Sequence, residues 1–208
     1  MLCLKQATDG GWAAQALRDV DAVLVDHAHC ELKAASNALS LIARYPGDIE
    51  LARLLADLAS DEIGHLQRVI AILASRGVAF ERPAVDTYAS ELLREARRLP
   101  REPSIGPLGD RLLVGALIEA RSCERFRLLV EETTNRPTHS DLHALWKELL
   151  AAEARHYRTF VDLAVRSAGG NVLRVGARLE HLAELEGGIV RSLASASLTR
   201  VSRASIHG

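Results

Sequence analysis

The sequence predicts an all-α fold in which four long helices form a bundle, with a long crossover connection and additional flanking helices. Apolar residues recur every three and four positions through almost all of the 208 residues. Alternation of β-branched and aromatic residues, the pattern of a strand, never continues for more than a few residues. Turn and cap residues divide the helical pattern into segments long enough for a bundle.

The first half of the chain predicts two long helices joined by a tight turn. A short helical turn around Trp12 to Leu17 comes first. The first long helix runs from about Val20 to Arg44 and ends at the turn sequence YPGD. Asp48 is placed to cap the second long helix, from about Ile49 to Arg76, because its carboxylate can accept hydrogen bonds from first-turn amides. Gly77 then ends this helix.

The second half repeats this arrangement after a crossover connection. Residues 78–106 carry Pro83, Pro100 and Pro103 and leave room for a shorter helix near Tyr88 to Leu99. A third long helix fits about Pro107 to Thr133. A fourth begins at Ser140 or Asp141 and continues to about Ala168, where two glycines close it. A weaker fifth helix from Asn171 to about Leu193 precedes a serine-rich tail.

Length, charge and cysteine content limit the class of protein. With 208 residues, 48% of them hydrophobic, we predict a single domain over residues 1–208, whose tail from about residue 194 has the composition of a loose terminus. A net charge of -1 gives no overall basic field. Three widely spaced cysteines without a CxxC motif argue against a disulfide framework. Apolar runs fall short of the roughly 20 residues of a membrane span, and the N-terminus lacks a signal-peptide core, so we expect a cytoplasmic protein with no membrane association.

Two Glu-x-x-His motifs, in DEIGH and EARH, lie near the midpoints of the second and fourth long helices. Residues three apart project from one face of a helix, so each motif presents a carboxylate and an imidazole together. The first and third helices contribute one glutamate each, in apolar or small-residue surroundings. Antiparallel helices of similar length bring their midpoints to one height. The candidate ligands are Glu31, Glu62, His65, Glu119, Glu153 and His156.

This donor set predicts a centre of two metal ions. A glutamate from each of two helices and a Glu-x-x-His from each of two others is the ligand pattern of di-iron and di-manganese carboxylate bundles. Two neighbouring cations repel, and four carboxylates offset that charge while leaving positions open for O2. Buried without a metal, the glutamates would each cost several kcal/mol.

Three neighbouring side chains are alternative ligands. His27 lies four residues before Glu31 and can share its face, although we favour a core histidine or one that supports a ligand. Cys30 and Cys123 flank the lone glutamates of the first and third helices. Thiolate ligation is conceivable there, and small buried thiols are the preferred interpretation.

Glu124 is an alternative to Glu119 on the third helix. Its five-residue offset turns it away from the stripe of Glu119. A salt bridge with Arg121 or Arg127 is the simpler interpretation.

Arginine residues are clustered rather than spread along the chain. The cluster on the crossover is interrupted by Glu91, Glu95 and Glu102, a pattern typical of a solvated face. Contact with RNA phosphates is the functional alternative. The clusters are Arg94, Arg97, Arg98 and Arg101 on the crossover, Arg121, Arg125 and Arg127 on the third helix, and Arg191, Arg200 and Arg203 towards the C-terminus.

Three segments carry a family resemblance: DHAHCELKAASNALSLIARYP, GALIEARSCERFRLL and LLAAEARHYRTF. They resemble the MiaE-type tRNA hydroxylases, which oxidise the isopentenyl side chain of 2-methylthio-isopentenyladenosine beside the anticodon. The resemblance covers about Val20 to Leu163. It implies a ferritin-like fold and a non-haem centre of two iron ions, and all six candidate ligands match the ligand positions of that family.

The resemblance also implies a reaction and its partners. One oxygen atom of O2 enters an allylic C–H bond and the other becomes water, with two electrons from an external reductant. The implied partners are tRNA, at its anticodon loop, and an electron-transfer protein. The sequence identifies neither this electron-transfer protein nor the oligomeric state. Arginine contacts to phosphates would accompany a pocket for the splayed base, and the expected contacts are Arg94, Arg97, Arg98 and Arg101.

Two other classes share parts of this pattern. A rubrerythrin-like peroxidase or a ferritin-like iron oxidase would use every one of these ligands without tRNA. A helical scaffold without metal would tolerate their loss. Iron content separates the scaffold from the other classes, and product analysis on tRNA separates the hydroxylase from the peroxidase and the oxidase.

Overall fold

A computed structural model describes residues 2–81, 87–134, 140–197 and 206, with the side chains of residues 194–197 excepted. All regular structure in these residues is helical, which confirms the predicted all-α class. A short helix, α1 (Trp12–Ala16), continues into a 3-10 turn, Leu17–Asp19. The remaining helices are α2 (Val20–Arg44), α3 (Ile49–Ser75), α4 (Tyr88–Arg98) in the crossover, α5 (Gly106–Thr133), α6 (Ser140–Ser167) and α7 (Val172–Ser197). None of the helices, within the described ranges, combines the length and apolar character needed to cross a bilayer.

The described residues group into two compact units. One unit comprises residues 14–81 and 206, in which α2 packs along α3. The other comprises residues 2–13, 87–134 and 140–197, in which α5 packs along α6 while α4 and α7 pack on each other and on α5. The single domain over residues 1–208 stays a prediction.

The helix ends follow the predicted cap chemistry. The Asp48 carboxylate accepts a hydrogen bond from the Leu51 amide at 3.0 Å and begins α3. At the other end of α3, Gly77 adopts φ +68°, and the Val78 amide donates to the Leu73 carbonyl at 2.9 Å. This is a Schellman ending, which requires the left-handed conformation that glycine adopts without strain.

The α6 helix has the same ending, with Gly169 at φ +66° and the Gly170 amide 2.9 Å from the Val165 carbonyl. The α7 helix instead continues to Ser197, beyond the predicted end near Leu193. The sequence ASAS after Leu193 contains neither glycine nor proline, so nothing there stops a helix.

A close approach of α5 to α6 fixes the spacing of this pair. A Cβ atom added to Gly115 would lie 3.0 Å from the Phe160 ring, and Phe160 is itself buried. Gly115 lies one turn before Glu119, and Phe160 lies one turn after His156. The glycine thus permits tight packing beside two predicted ligands.

A buried ion-pair network joins α5 to α7, α4 and the N-terminal segment. The Arg121 guanidinium donates to the Glu186 carboxylate from Nε at 2.9 Å and from Nη2 at 2.8 Å, and it also pairs with Glu124. The Tyr88 hydroxyl donates to Glu186 at 2.8 Å. Arg121, Tyr88 and Glu186 are fully buried. Burial and the charge of Glu186 raise the pKa of Tyr88, whereas the charge of Arg121 lowers it. The net result is a pKa well above the ordinary value.

The N-terminal segment closes this network. Arg121 Nη2 donates to the Gln6 carbonyl at 2.9 Å, and the Thr8 hydroxyl donates to the Glu124 carboxylate at 2.7 Å. The Arg125 guanidinium lies 5.1 Å from the centre of the Trp12 ring, within the range of a cation–π contact. These contacts hold residues 6–12 against α5, a role that the sequence pattern did not indicate.

Two arginine variants on the same helix test the importance of this network. Arg121→Met would leave Glu186 and Glu124 buried without their cation, and we expect it to lower the free energy of unfolding by about 3–5 kcal/mol. Arg127→Met removes an exposed pair with Glu131 at 2.6 Å, and we expect almost no change because exposed pairs contribute little. Chemical denaturation of both variants and the wild type measures the difference. Equal losses from the two variants would contradict the structural role of Arg121.

Candidate metal centre

Each Glu-x-x-His motif occupies the middle of a buried helical stripe. On α3, successive buried residues three and four apart are Leu51, Leu55, Leu58, Glu62, His65, Val69 and Leu73. On α6, the equivalent run is Leu142, Trp146, Leu149, Glu153, His156, Phe160 and Leu163. The same spacing that buries leucines therefore buries the two motifs, and each motif is flanked on both sides by apolar side chains.

In the unit of residues 14–81, Glu31, Glu62 and His65 come together. One donor atom from each lies within 4.8 Å of the others. The His65 Nδ1 atom is 3.5 Å from both the Glu31 and the Glu62 carboxylate. Glu31 and Glu62 are 2% and 1% exposed, so the two carboxylates share a site with almost no solvent.

The pKa values of this group reflect its crowding. Burial, followed by the neighbouring Glu62, raises the pKa of Glu31 well above its usual range. Burial lowers the pKa of His65, but the carboxylates of Glu31 and Glu62 outweigh that effect and raise it to about 10. Protons bound to these side chains therefore stabilise the group. A cation bound to the same oxygen and nitrogen atoms would replace them.

His27 is fully buried and its Nε2 atom lies 2.8 Å from the Glu31 carboxylate. This contact fits the preferred interpretation of a histidine that supports a ligand, because it places the imidazole against Glu31. His29 faces elsewhere, since its Nε2 atom lies 2.7 Å from the Glu81 carbonyl oxygen. The Cys30 thiol is directed to Asp26 on its own helix, at 3.9 Å.

In the other unit, Glu119 and His156 come together. A donor atom of each lies within 4.8 Å of the other. Both are buried, as is Glu153, which is 2% exposed on the stripe that it shares with His156. Burial, assisted by the charge of Glu153, raises the pKa of Cys123 to about 12. Cys123 is therefore a neutral thiol near pH 7, as expected of a small buried cysteine.

Glu124 takes part in the ion pair with Arg121, which confirms the simpler interpretation and removes it as an alternative to Glu119. All six predicted ligands are buried on their helices, with exposed fractions of 1% to 8%. Four carboxylates and two imidazoles supply oxygen and nitrogen donors that suit two iron ions, and water is largely excluded from them. By its chemistry the donor set fits a di-iron centre.

The crossover arginines have a mixed electrostatic setting. Glu95 accepts hydrogen bonds from Arg94 at 3.0 Å and from Arg98 at 2.7 Å. The bond from Arg94, followed by that from Arg98, lowers the pKa of Glu95 below its usual value against the effect of desolvation. Arg97 and Arg101 are exposed. Of the C-terminal cluster, Arg191 donates to the Gln6 side chain at 3.2 Å, whereas Arg200 and Arg203 lie outside the described residues.

Comparison with known proteins adds independent observations. The family model for tRNA-(MS2IO6A)-hydroxylase (MiaE) matches residues 1–199. The tRNA 2-(methylsulfanyl)-N(6)-isopentenyladenosine(37) hydroxylase of Pseudomonas putida is 41% identical over 157 residues, which span 76% of this chain and 72% of that protein. A hydroxylase of the same name from Salmonella typhimurium is 27% identical, over 89% of this chain and 82% of that one.

A solved structure gives the same fold. A protein from Synechococcus with aldehyde deformylating oxygenase activity superposes with a TM-score of 0.85 and 32% identity, covering 100% of this chain and 96% of that one. The predicted fold class, an all-α ferritin-like four-helix bundle with a long crossover and flanking helices, is confirmed. Because the family model matches residues 1–199 and the Pseudomonas putida hydroxylase is 41% identical, the chain belongs to the tRNA-(MS2IO6A)-hydroxylase (MiaE) family.

Proposed function

We propose that the protein is an O2-dependent monooxygenase that hydroxylates the isopentenyl side chain of 2-methylthio-isopentenyladenosine in tRNA. The observation that carries this proposal is the set of four glutamates and two histidines, all buried at the centres of helices in a chain of the hydroxylase family. Such a set has no role in packing that apolar residues would not perform at lower cost.

We propose that Glu31, Glu62, His65, Glu119, Glu153 and His156 hold two iron ions. When bound, this pair supplies the activation of O2 for insertion into an allylic C–H bond. The four carboxylates offset the positive charge, and the imidazoles complete the donor set. His65 must release its proton before it can bind a metal, so iron binding is coupled to proton release near neutral pH.

The apolar residues around the ligands have a separate task. Leu58 and Val69 on α3, and Leu149 and Phe160 on α6, lie within one turn of a Glu-x-x-His motif and are at most 3% exposed. They exclude water from the ligands, which strengthens the electrostatic interaction between carboxylate and metal and protects the reaction from stray reductants. The two electrons come from an external reductant, which we expect an electron-transfer protein to deliver in the cytoplasm.

We propose that the tRNA contacts include Arg94, Arg97, Arg98 and Arg101. A protein of net charge -1 has to concentrate positive charge locally to hold a polyanion. In support, Arg97 and Arg101 are exposed, and Arg94 and Arg98 share a single carboxylate. The two cations together exceed the charge of Glu95, so phosphates can still bind there.

Product analysis tests the activity directly. Iron-loaded protein is incubated with hypomodified tRNA that carries the isopentenyl group, a reductant and oxygen-18 gas. We expect the nucleosides to gain one labelled oxygen atom, because the oxygen inserted into the C–H bond comes from O2. Consumption of hydrogen peroxide by a protein that leaves the tRNA unchanged would contradict the proposal and favour the rubrerythrin-like alternative.

Ligand variants test the metal assignment. The wild type should bind about two irons per chain. Glu62→Gln and Glu153→Gln should each abolish the spectrum of the coupled iron pair while leaving the helical circular dichroism, because each removes one carboxylate charge and little volume. Glu131→Gln on α5 is the control, since this glutamate is exposed. His27→Gln should retain both irons. Loss of iron from that variant would contradict the expectation that His27 is dispensable for metal binding.

A salt titration tests the RNA contacts. Replacing Arg94, Arg97, Arg98 and Arg101 together by glutamine should weaken tRNA binding and flatten its dependence on salt, because each phosphate contact releases counterions. The spectrum of the iron pair should not change. The control is Arg53→Gln, which removes an exposed arginine of α3 paired with Glu50 and Asp57. Equal tRNA affinity of the wild type and the fourfold variant at every salt concentration would contradict this placement.

A further inference from the structure

Phe80 is unusual among the aromatic residues of this chain. All eight phenylalanine, tyrosine and tryptophan residues lie in the described part of the chain, and the other seven are buried or partly buried. Phe80 is 42% exposed. It lies beyond the end of α3, in the segment that follows Gly77. An exposed aromatic ring is a candidate binding surface when its orientation is fixed and its neighbours have complementary chemistry.

One face of the Phe80 ring is held by a histidine. The rings of His29 and Phe80 stack with a centroid separation of 4.2 Å and an interplanar angle of 20°. The His29 Nε2 atom lies 2.7 Å from the Glu81 carbonyl oxygen. Because a carbonyl oxygen can only accept, Nε2 carries the proton and donates. His29 therefore covers one face of the Phe80 ring, and the opposite face is the one that a ligand could stack on.

The backbone fixes the position of this stacked pair. The Schellman ending of α3 directs the chain back through Val78, and the Glu81 amide donates to the Ala79 carbonyl at 3.0 Å. His29 belongs to the middle of α2, a rigid element. Phe80 is thus an aromatic surface in a preset orientation, and binding to it costs little ordering entropy.

The surface of α2 beside His29 has complementary chemistry. Leu32 and Lys33 lie three and four residues after His29, so both are neighbours of His29 on the helix surface. Leu32 is 41% exposed, and Lys33 is also exposed. By this spacing, His29 has the Phe80 ring stacked on it and an aliphatic side chain and an ammonium group as its neighbours on the helix. This combination suits an unstacked nucleobase with its phosphate.

We propose that Phe80 is a stacking platform for a nucleobase of the RNA loop and that Lys33 contacts an adjacent phosphate. The inference rests on the proposed function, which requires the protein to bind a loop of tRNA. Proteins recognise such loops by stacking splayed bases on aromatic rings, and the contribution of one stacked base is large enough to measure. The site would set how the loop is oriented, without taking part in the oxidation.

Binding of a fluorescently labelled anticodon stem-loop to iron-loaded protein, without O2, tests the platform. Phe80→Ala should weaken binding by about 5- to 150-fold, the range expected for one base stacked on an aromatic ring. Phe80→Leu keeps apolar volume without a ring face and should also weaken binding, whereas Phe80→Trp should keep it within about twofold. Lys33→Gln should lower the salt slope by about one unit, as expected for one lost phosphate contact.

Leu39→Ala is the matched control. Leu39 lies on α2 and is 54% exposed, but it lies ten residues beyond His29. We expect its RNA affinity to equal that of the wild type, and we expect thermal unfolding midpoints to be similar for all variants because the changed side chains are exposed. A change in KM for tRNA without a change in kcat would further support a role in binding.

The outcomes separate this inference from the proposed function. If the wild type binds and hydroxylates tRNA and Phe80→Leu binds the stem-loop equally well, the platform is wrong and the function stands. If Phe80→Leu slows electron delivery instead of weakening RNA binding, the surface belongs to the electron donor and the platform is again wrong. If the wild type neither binds nor hydroxylates tRNA, both ideas fail.

Discussion

The burial of charge in helices is the constraint on which the rest of this structure depends. Four carboxylates and two imidazoles occupy positions that the helical stripes of α2, α3, α5 and α6 would otherwise give to leucine or alanine. Each such replacement removes apolar contact and adds a desolvation cost. Burial raises the pKa of Glu31, and the carboxylates of Glu31 and Glu62 raise the pKa of His65 against the effect of burial, so bound protons offset part of that cost.

The chain buries further charge in ion pairs of arginine. Arg121 is fully buried against Glu186 and Glu124, and Arg178 binds both oxygens of Asp110 at 2.7 and 2.9 Å. The Arg121–Glu186 and Arg178–Asp110 pairs join α5 to α7 with fixed geometry, since a guanidinium and a carboxylate match only in a few orientations. A helix whose rotation is fixed in this way also fixes the direction of Glu119. The signature GALIEARSCERF thus combines a predicted ligand with the residues that orient its helix.

Arginine residues that are close in sequence have different surroundings in the structure. Arg121, Arg125 and Arg127 form one run in the sequence, but their surroundings differ. Arg121 is inside an ion-pair network, Arg125 lies over Trp12, and Arg127 is on the surface with Glu131. The three arginines of this run therefore have three different roles. The crossover arginines remain candidates for contact with RNA, because Arg97 and Arg101 are exposed.

The sequence by itself determined the helices, most of their ends and the faces that carry the ligands. Periodicity, caps such as Asp48 and Gly77, and the three-residue spacing of Glu62 with His65 all depend on interactions within a few residues. Only the tertiary structure decided which distant residues meet. Arg121 pairs with Glu186, which is 65 residues away, and His29 stacks on Phe80 across an entire helix. The residues around each partner in the sequence do not reveal such a pair. The contact forms only when distant segments pack together, and the number of residues between two segments does not tell how far apart they lie in the fold.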